Sequence, residues 1–290
     1  YEPGWIILNR LFNSLGFFLL IAALALFNCV AYSYFITKYV PVKYYWLAVF
    51  IYIFYPEFML IHASAMRQSI AIIFFLFSFK YIYMKNAIRY VLCIAAASLF
   101  HVSVLSLLPI YVLGLLSHRT YRVIGLIFIS FYVFLINSAQ SLSEIVYFLV
   151  NPYFPKYSGF NEAGRVDSGF GLLYFGLMSV LPLFYTKRDE SETELIFIIS
   201  IISTMIIPLN FLIGTIGRMG MYFFPATIIS YSVIPARMRD GGIKNIFGRA
   251  VFISIIIVAT SYRFIQFFNS ETYKGSYTFY QTIFSAPQWF

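Results

Sequence analysis

The chain has 290 residues, 61% of them hydrophobic and 11% charged, with a mean hydropathy of +0.82. Soluble domains carry roughly 25% charged and about 45–50% apolar residues, so these figures exclude a water-soluble globular domain, a disordered chain, a collagen, a coiled coil and a disulfide scaffold. The net charge of +9, from 20 Lys and Arg against 11 Asp and Glu, then reads as the loop charge of a polytopic membrane protein rather than as a nucleic-acid surface.

A helix needs about 20 residues to cross the hydrocarbon core. Charge-poor segments fall, in chain order, near 11–37, 44–61, 66–84, 88–116, 122–140, 171–186, 195–213, 219–235 and 247–268. The first is too long for a signal-peptide core and runs into Lys38 and Lys43 without a small-residue cleavage site, so it reads as a retained span. The segment 88–116 carries Phe100-His101-Val102-Ser103 near its middle and reads as a hairpin of two short helices. That hairpin gives an all-α bundle of about ten spans. One side then receives 13 of the 20 basic residues, among them Lys38, Lys43, Lys80, Lys85, Arg89, Arg237, Lys244 and Arg249, and the other receives Arg10, Arg67, Lys156, Arg165, Arg218, Arg263 and Lys274. A single span at 88–116 would destroy this asymmetry. The richer side is expected to be cytoplasmic. The whole chain, 1–290, reads as one transmembrane domain, with a long outer loop at about 141–170 and an outer C-terminal tail at about 269–290.

Ionisable groups at a membrane edge are costly and stand as functional candidates. The outer face collects Glu2, Arg10, Glu57, His62, Arg67, Gln68, His101, Arg165 and Arg218. In Ser64-Ala65-Met66-Arg67-Gln68-Ser69 the serine is a candidate N-cap and Arg67 falls in the first helical turn. Gly214-Thr215-Ile216-Gly217-Arg218 likewise opens the 219–235 helix. Two arginines at two outward-facing helix N-termini suit an anion such as pyrophosphate. Plainer readings stand beside this one: an arginine that snorkels, a histidine bonded to a neighbouring helix, carboxylates on an open surface. Cys29 and Cys93 lie in apolar runs and the three histidines divide between two faces, so neither a disulfide nor a metal is expected. Walker, G-x-G-x-x-G, H-E-x-x-H and G-x-S-x-G motifs do not occur, and no cofactor is expected.

Four short motifs in order, Tyr1-Glu2-Pro3-Gly4, Arg67-Gln68-Ser69-Ile70-Ala71, Ala97-Ser98-Leu99-Phe100-His101-Val102-Ser103 and Gly217-Arg218-Met219 followed by Tyr222-Phe223, cover residues 1 to about 225. They resemble the EpsG-type family of bacterial membrane proteins, the Wzy-like polymerases of exopolysaccharide, capsule and O-antigen repeat units. The resemblance implies a GT-C-like helical fold in the bacterial inner membrane and a metal-independent glycosyl transfer on its periplasmic face. The donor would be a glycan on undecaprenyl pyrophosphate, the acceptor another lipid-linked repeat unit, and a chain-length regulator protein a further candidate partner. In that scheme Arg67 and Arg218 meet the pyrophosphate, with Gln68, Arg165 and Arg10 as further substrate-binding residues. His101 or Glu2 takes the acceptor proton, His101 being preferred. Two other classes stay open on the residues alone. One is a secondary transporter or flippase of lipid-linked or anionic solutes. The other is a membrane acyltransferase acting on extracellular sugars.

Overall fold

The computed structural model describes residues 2–116, 191–206, 216–238 and 243–269, with scattered positions between 123 and 134 and between 178 and 185. Among the described residues the regular structure is entirely helical. The helices are α1 (Pro3–Phe12), α2 (Phe17–Tyr39), α3 (Tyr45–Phe54), α4 (Pro56–Ser64), α5 (Met66–Tyr83), α6 (Ala87–Ser98), a 3₁₀ helix (Val102–Leu115), α7 (Ser191–Ile206), α8 (Ile216–Phe223), α9 (Pro225–Arg237) and α10 (Ile243–Asn269). The outer loop at 141–170, most of the span at 122–140 and the C-terminal tail lie outside the described residues.

Among the described residues two helices are long and apolar enough to cross a membrane, Phe17–Tyr39 with a mean hydropathy of 2.0 and Asn245–Asn269 with 1.8. Both leave large apolar side chains uncovered, with Leu26 66% exposed on the first and Val258 64% exposed on the second. Bare aliphatic stripes of this kind suit lipid rather than water. The centre is the reverse. All of Pro225–Pro235 in α9 is buried, with α7, α3, α2 and α10 packed around it. Two of its hydroxyls are paired: Ser230 Oγ lies 2.7 Å from Ser200 Oγ on α7, and Thr227 Oγ1 donates to Phe224 O at 2.6 Å. Small hydroxyl residues let membrane helices approach closely and bond across the gap.

Several expected spans are broken. The segment 44–61 bends at Tyr55, whose backbone is extended (φ −94°, ψ 111°). Pro56 then starts α4, where its missing N–H costs nothing. The 219–235 helix starts earlier, at Ile216, and is interrupted before Pro225. The segment 88–116 is a hairpin, as the sorting of the basic residues requires. Helix α6 ends at Ser98, and the chain returns against it as the 3₁₀ helix.

The bundle has two charged ends. At one, Lys38 Nζ and Tyr39 OH both donate to Glu192 Oε1, at 2.8 and 2.6 Å. Close by in the fold, Arg237 pairs with Glu194 at 2.9 Å and stacks its guanidinium 4.5 Å from the Phe197 ring centroid. Lys80 lies towards this end of α5 and Arg67 at the other. Lys38, Lys80 and Arg237, sorted together by sequence, thus share one end, and Arg67 lies at the other.

Candidate functional site

The opposite end gathers side chains from four separate segments. Glu2 is the N-cap of α1, with extended backbone (φ −65°, ψ 144°), and Pro3 follows at the first helical position. Gly4 N–H donates to Leu99 O at 2.8 Å. A Cβ on Gly4 would also sit 2.8 Å from that oxygen, so glycine is what allows α1 to rest on the end of α6. This close approach brings Glu2 over the turn that carries His101.

That turn is tightly built. Phe100 and His101 N–H both donate to Ala97 O, at 3.0 and 3.1 Å, closing α6. His101 is then extended (φ −154°, ψ 109°), and the 3₁₀ helix begins beyond it. The Phe100 ring stacks on Phe74 of α5 at 5.9 Å. Beneath lies a small apolar cluster of Leu20, Leu24 and Ile70, joined by Trp5, Leu8 and Phe12. This cluster seats α1, α2 and α5 together below the polar groups.

Arg67 is the second residue of α5, where the free backbone N–H groups and the helix dipole favour an anion. Its Nη1 lies 2.5 Å from Glu2 Oε2. The other Glu2 oxygen, Oε1, is 3.4 Å from His101 Nδ1. That nitrogen is buried and makes no aligned hydrogen bond among the described residues. One carboxylate therefore lies between a guanidinium and an imidazole. Arg67 is about one-third exposed and His101 about one-quarter, while Glu2 is the more enclosed of the three.

A second layer fixes this group. The buried Gln68 amide donates to Arg218 O at 2.7 Å, linking the first turn of α5 to α8. Tyr222 is wholly buried and its hydroxyl lies 2.8 Å from Ser103 Oγ, two residues after His101. Arg218 itself is exposed, and its charge reaches His101.

The electrostatics follow from these neighbours. Burial alone would raise the Glu2 carboxyl. Hydrogen bonds from its own backbone N–H, from Arg67 and from the Val102 N–H, with the Arg67 charge, outweigh that and hold it below its ordinary value. His101 is depressed first by burial; the Glu2 carboxylate pulls it back upward, and Arg67 and Arg218 push it down again. At neutral pH the group is thus a carboxylate, a neutral imidazole and two guanidinium ions.

Of the residues singled out by sequence, Glu2, Arg67, Gln68, His101 and Arg218 are brought together. Arg10 is exposed and lies eight residues along α1 from Glu2, about 12 Å by helical rise. Arg165 and the His62 side chain lie outside what is described. Ser64 does not cap α5: it ends α4, and Ala65 holds the cap position without a side-chain bond. The sequence reading missed Ser103 and Tyr222 as a pair. The signal was present, since Arg218 and Tyr222 are spaced i, i+4 on one helical face. It also missed the pairing of Glu57 with Arg263, where Nε and Nη2 reach the same Oε1 at 3.0 and 2.6 Å.

The EpsG family model matches residues 1–282, well past the last of the short motifs. No curated protein matches the chain, and no solved structure does. The chain belongs to the EpsG family and is a membrane protein of polysaccharide biosynthesis.

Proposed function

We propose that the protein is a glycosyltransferase that polymerises lipid-linked glycans. It transfers a glycan from undecaprenyl pyrophosphate onto another lipid-linked repeat unit, on the outer face of the bacterial cytoplasmic membrane, in exopolysaccharide, capsule or O-antigen synthesis. In this reading the chain forms a single domain of about ten spans, and the Glu2–Arg67–His101 end faces outward. The observation that carries the reading is the meeting of a neutral imidazole with two arginines at one end of a lipid-suited bundle.

The chemistry divides among these groups. The acceptor hydroxyl oxygen attacks the anomeric carbon, and the bond from that carbon to the pyrophosphate oxygen breaks. The bonding pair leaves with the pyrophosphate, whose growing charge Arg67 and Arg218 meet by charge-assisted hydrogen bonds. The hydroxyl proton passes to His101. Its Nδ1 is turned towards Glu2, so Nε2 is the nitrogen that takes the proton. The lipid tail lies against the exposed aliphatic faces, and the 141–170 loop, with Arg165 and Arg10, covers the glycans.

The test is purified protein with lipid-linked repeat units, read on a gel that resolves chain lengths. A ladder that disappears in His101→Ala and Arg67→Ala supports the polymerase. Substrate crossing a liposome membrane without a ladder points to a flippase, and glycan modified but not lengthened points to an acyltransferase.

A further inference from the structure

The carboxylate of Glu2 stands where an anionic ligand of Arg67 would stand, and it also borders the buried nitrogen of the imidazole. Its two oxygens face different partners: Oε2 is on the guanidinium at 2.5 Å, and Oε1 is 3.4 Å from Nδ1. The first contact is a full charge-assisted bond. The second is too long and poorly aligned to be one, which leaves Nδ1 buried and without a partner among the described residues. A buried polar nitrogen without a partner is costly, and a small shift of the same carboxylate would satisfy it.

Building on the polymerase reading, we propose that Glu2 is a positioning residue that exchanges partners: it occupies the Arg67 anion site while that site is empty, and turns to His101 Nδ1 when the donor pyrophosphate takes Arg67. In the empty site the carboxylate neutralises one of the two guanidinium groups at this end of the bundle. Once phosphate oxygens replace it, the freed carboxylate accepts the Nδ1 proton bond, fixes the imidazole tautomer and supports the imidazolium that forms during transfer. Glu2 takes no proton from the acceptor. Donor binding therefore completes the base, which limits activation of the acceptor hydroxyl to the loaded site.

The surroundings suit the exchange. The backbone that carries Glu2 is fixed by Pro3 and by the Gly4–Leu99 bond, so only side-chain rotation is needed. The Val102 N–H bonds the carboxylate from the segment that carries His101. The charged groups acting on His101 are Glu2 from the start of α1, Arg67 from α5 and Arg218 from α8.

The experiment uses Glu2→Gln and Arg67→Gln in the full chain, with binding of glycan-free undecaprenyl pyrophosphate and the pH profile of kcat read separately. Glu2→Gln removes both the competitor for Arg67 and the charge that raises His101. It should bind undecaprenyl pyrophosphate about tenfold tighter, lose at least about tenfold in kcat, and shift the ascending limb of the profile to lower pH. Arg67→Gln removes a positive neighbour and leaves Glu2 to His101, so binding weakens and the residual limb moves to higher pH. Wild-type monodispersity and thermal unfolding in detergent establish the fold of both variants before binding is read. Weaker binding in Glu2→Gln, or an unmoved limb with wild-type kcat, overturns the proposal while leaving the polymerase intact. Absence of elongation in the wild type overturns the polymerase itself, and the binding comparison still decides whether Glu2 competes for Arg67.

Discussion

The side-chain amide of Gln68 donates to the main-chain carbonyl of Arg218 at 2.7 Å. Residues 150 positions apart in sequence are thereby locked, and the two arginines that open α5 and α8 are held in register. Gln68 is 5% exposed, so its amide serves the protein's own backbone. Its contribution to substrate binding in the proposed enzyme is the placement of Arg218.

Gln68→Leu keeps the volume and removes the donor. The Arg218 carbonyl loses a buried partner, which costs about 1–3 kcal/mol. If that loss is felt in the placement of Arg218, chain elongation efficiency should fall by roughly 5- to 150-fold. Steady-state elongation with lipid-linked repeat units checks this, with monodispersity in detergent as the folding control. Unchanged efficiency would make the bond irrelevant to Arg218.

Gly4 and Gly248 should respond in opposite ways to alanine. At Gly4 the new Cβ would lie 2.8 Å from Leu99 O, a backbone atom that cannot step aside, whereas at Gly248 nothing among the described residues stands within 4 Å. Gly4→Ala should lower thermal stability by about 1–3 kcal/mol and reduce activity by lifting Glu2 away from His101. Gly248→Ala, inside α10, should raise stability by up to about 1 kcal/mol. Thermal unfolding of the two purified variants in one detergent makes the comparison. Equal shifts would sink the close-approach explanation.

Much of this end of the molecule was legible in the sequence, for a physical reason. Charge is too costly in lipid to be scattered, so sorting the basic residues by side already separated Arg67 and Arg218 from Lys38 and Arg237, and it required the turn at His101. Charge sorting is blind to backbone geometry. It read 44–61 as one span, although Pro56 starts a second helix after an extended Tyr55. Ser64 has the composition of a cap but is absorbed into α4. The bond from Gln68 to Arg218 was not legible, because a main-chain carbonyl has no sequence signature. The Glu57–Arg263 pair was hidden similarly: each residue was visible as an outward-facing charge, but their meeting depends on where the bend at Tyr55 sends α4.

The buried pair Arg237–Glu194, at 2.9 Å with side chains 4% and 2% exposed, should behave as a unit. Removing one member leaves an uncompensated buried charge, so Glu194→Gln and Arg237→Met should each destabilise by about 3–5 kcal/mol. The double variant Glu194→Leu with Arg237→Met should recover a large part of that loss, because both charges go together. Thermal or denaturant unfolding of the singles and the double, treated as a cycle, measures the coupling. Additive losses would show that the two side chains act independently.

The pH dependence of elongation should follow His101. Transfer in the proposed reaction needs the neutral imidazole, so the rate rises with pH as His101 loses its proton. Burial first, then Arg67 and Arg218, hold this group below the ordinary histidine value of 6.5 against the opposing pull of Glu2. The ascending limb of kcat/KM, which reports the free enzyme, should therefore have its midpoint below 6.5, and activity should be on its plateau at neutral pH. The Glu2 carboxyl is also depressed, so it stays ionised across that limb and does not create a second one. His101→Ala should lower the rate by about 100-fold or more, the usual scale for a lost general base, and flatten what remains. A limb centred well above 6.5 in the wild type would mean that protonation stabilises the group. A limb that survives His101→Ala would assign the proton to another residue.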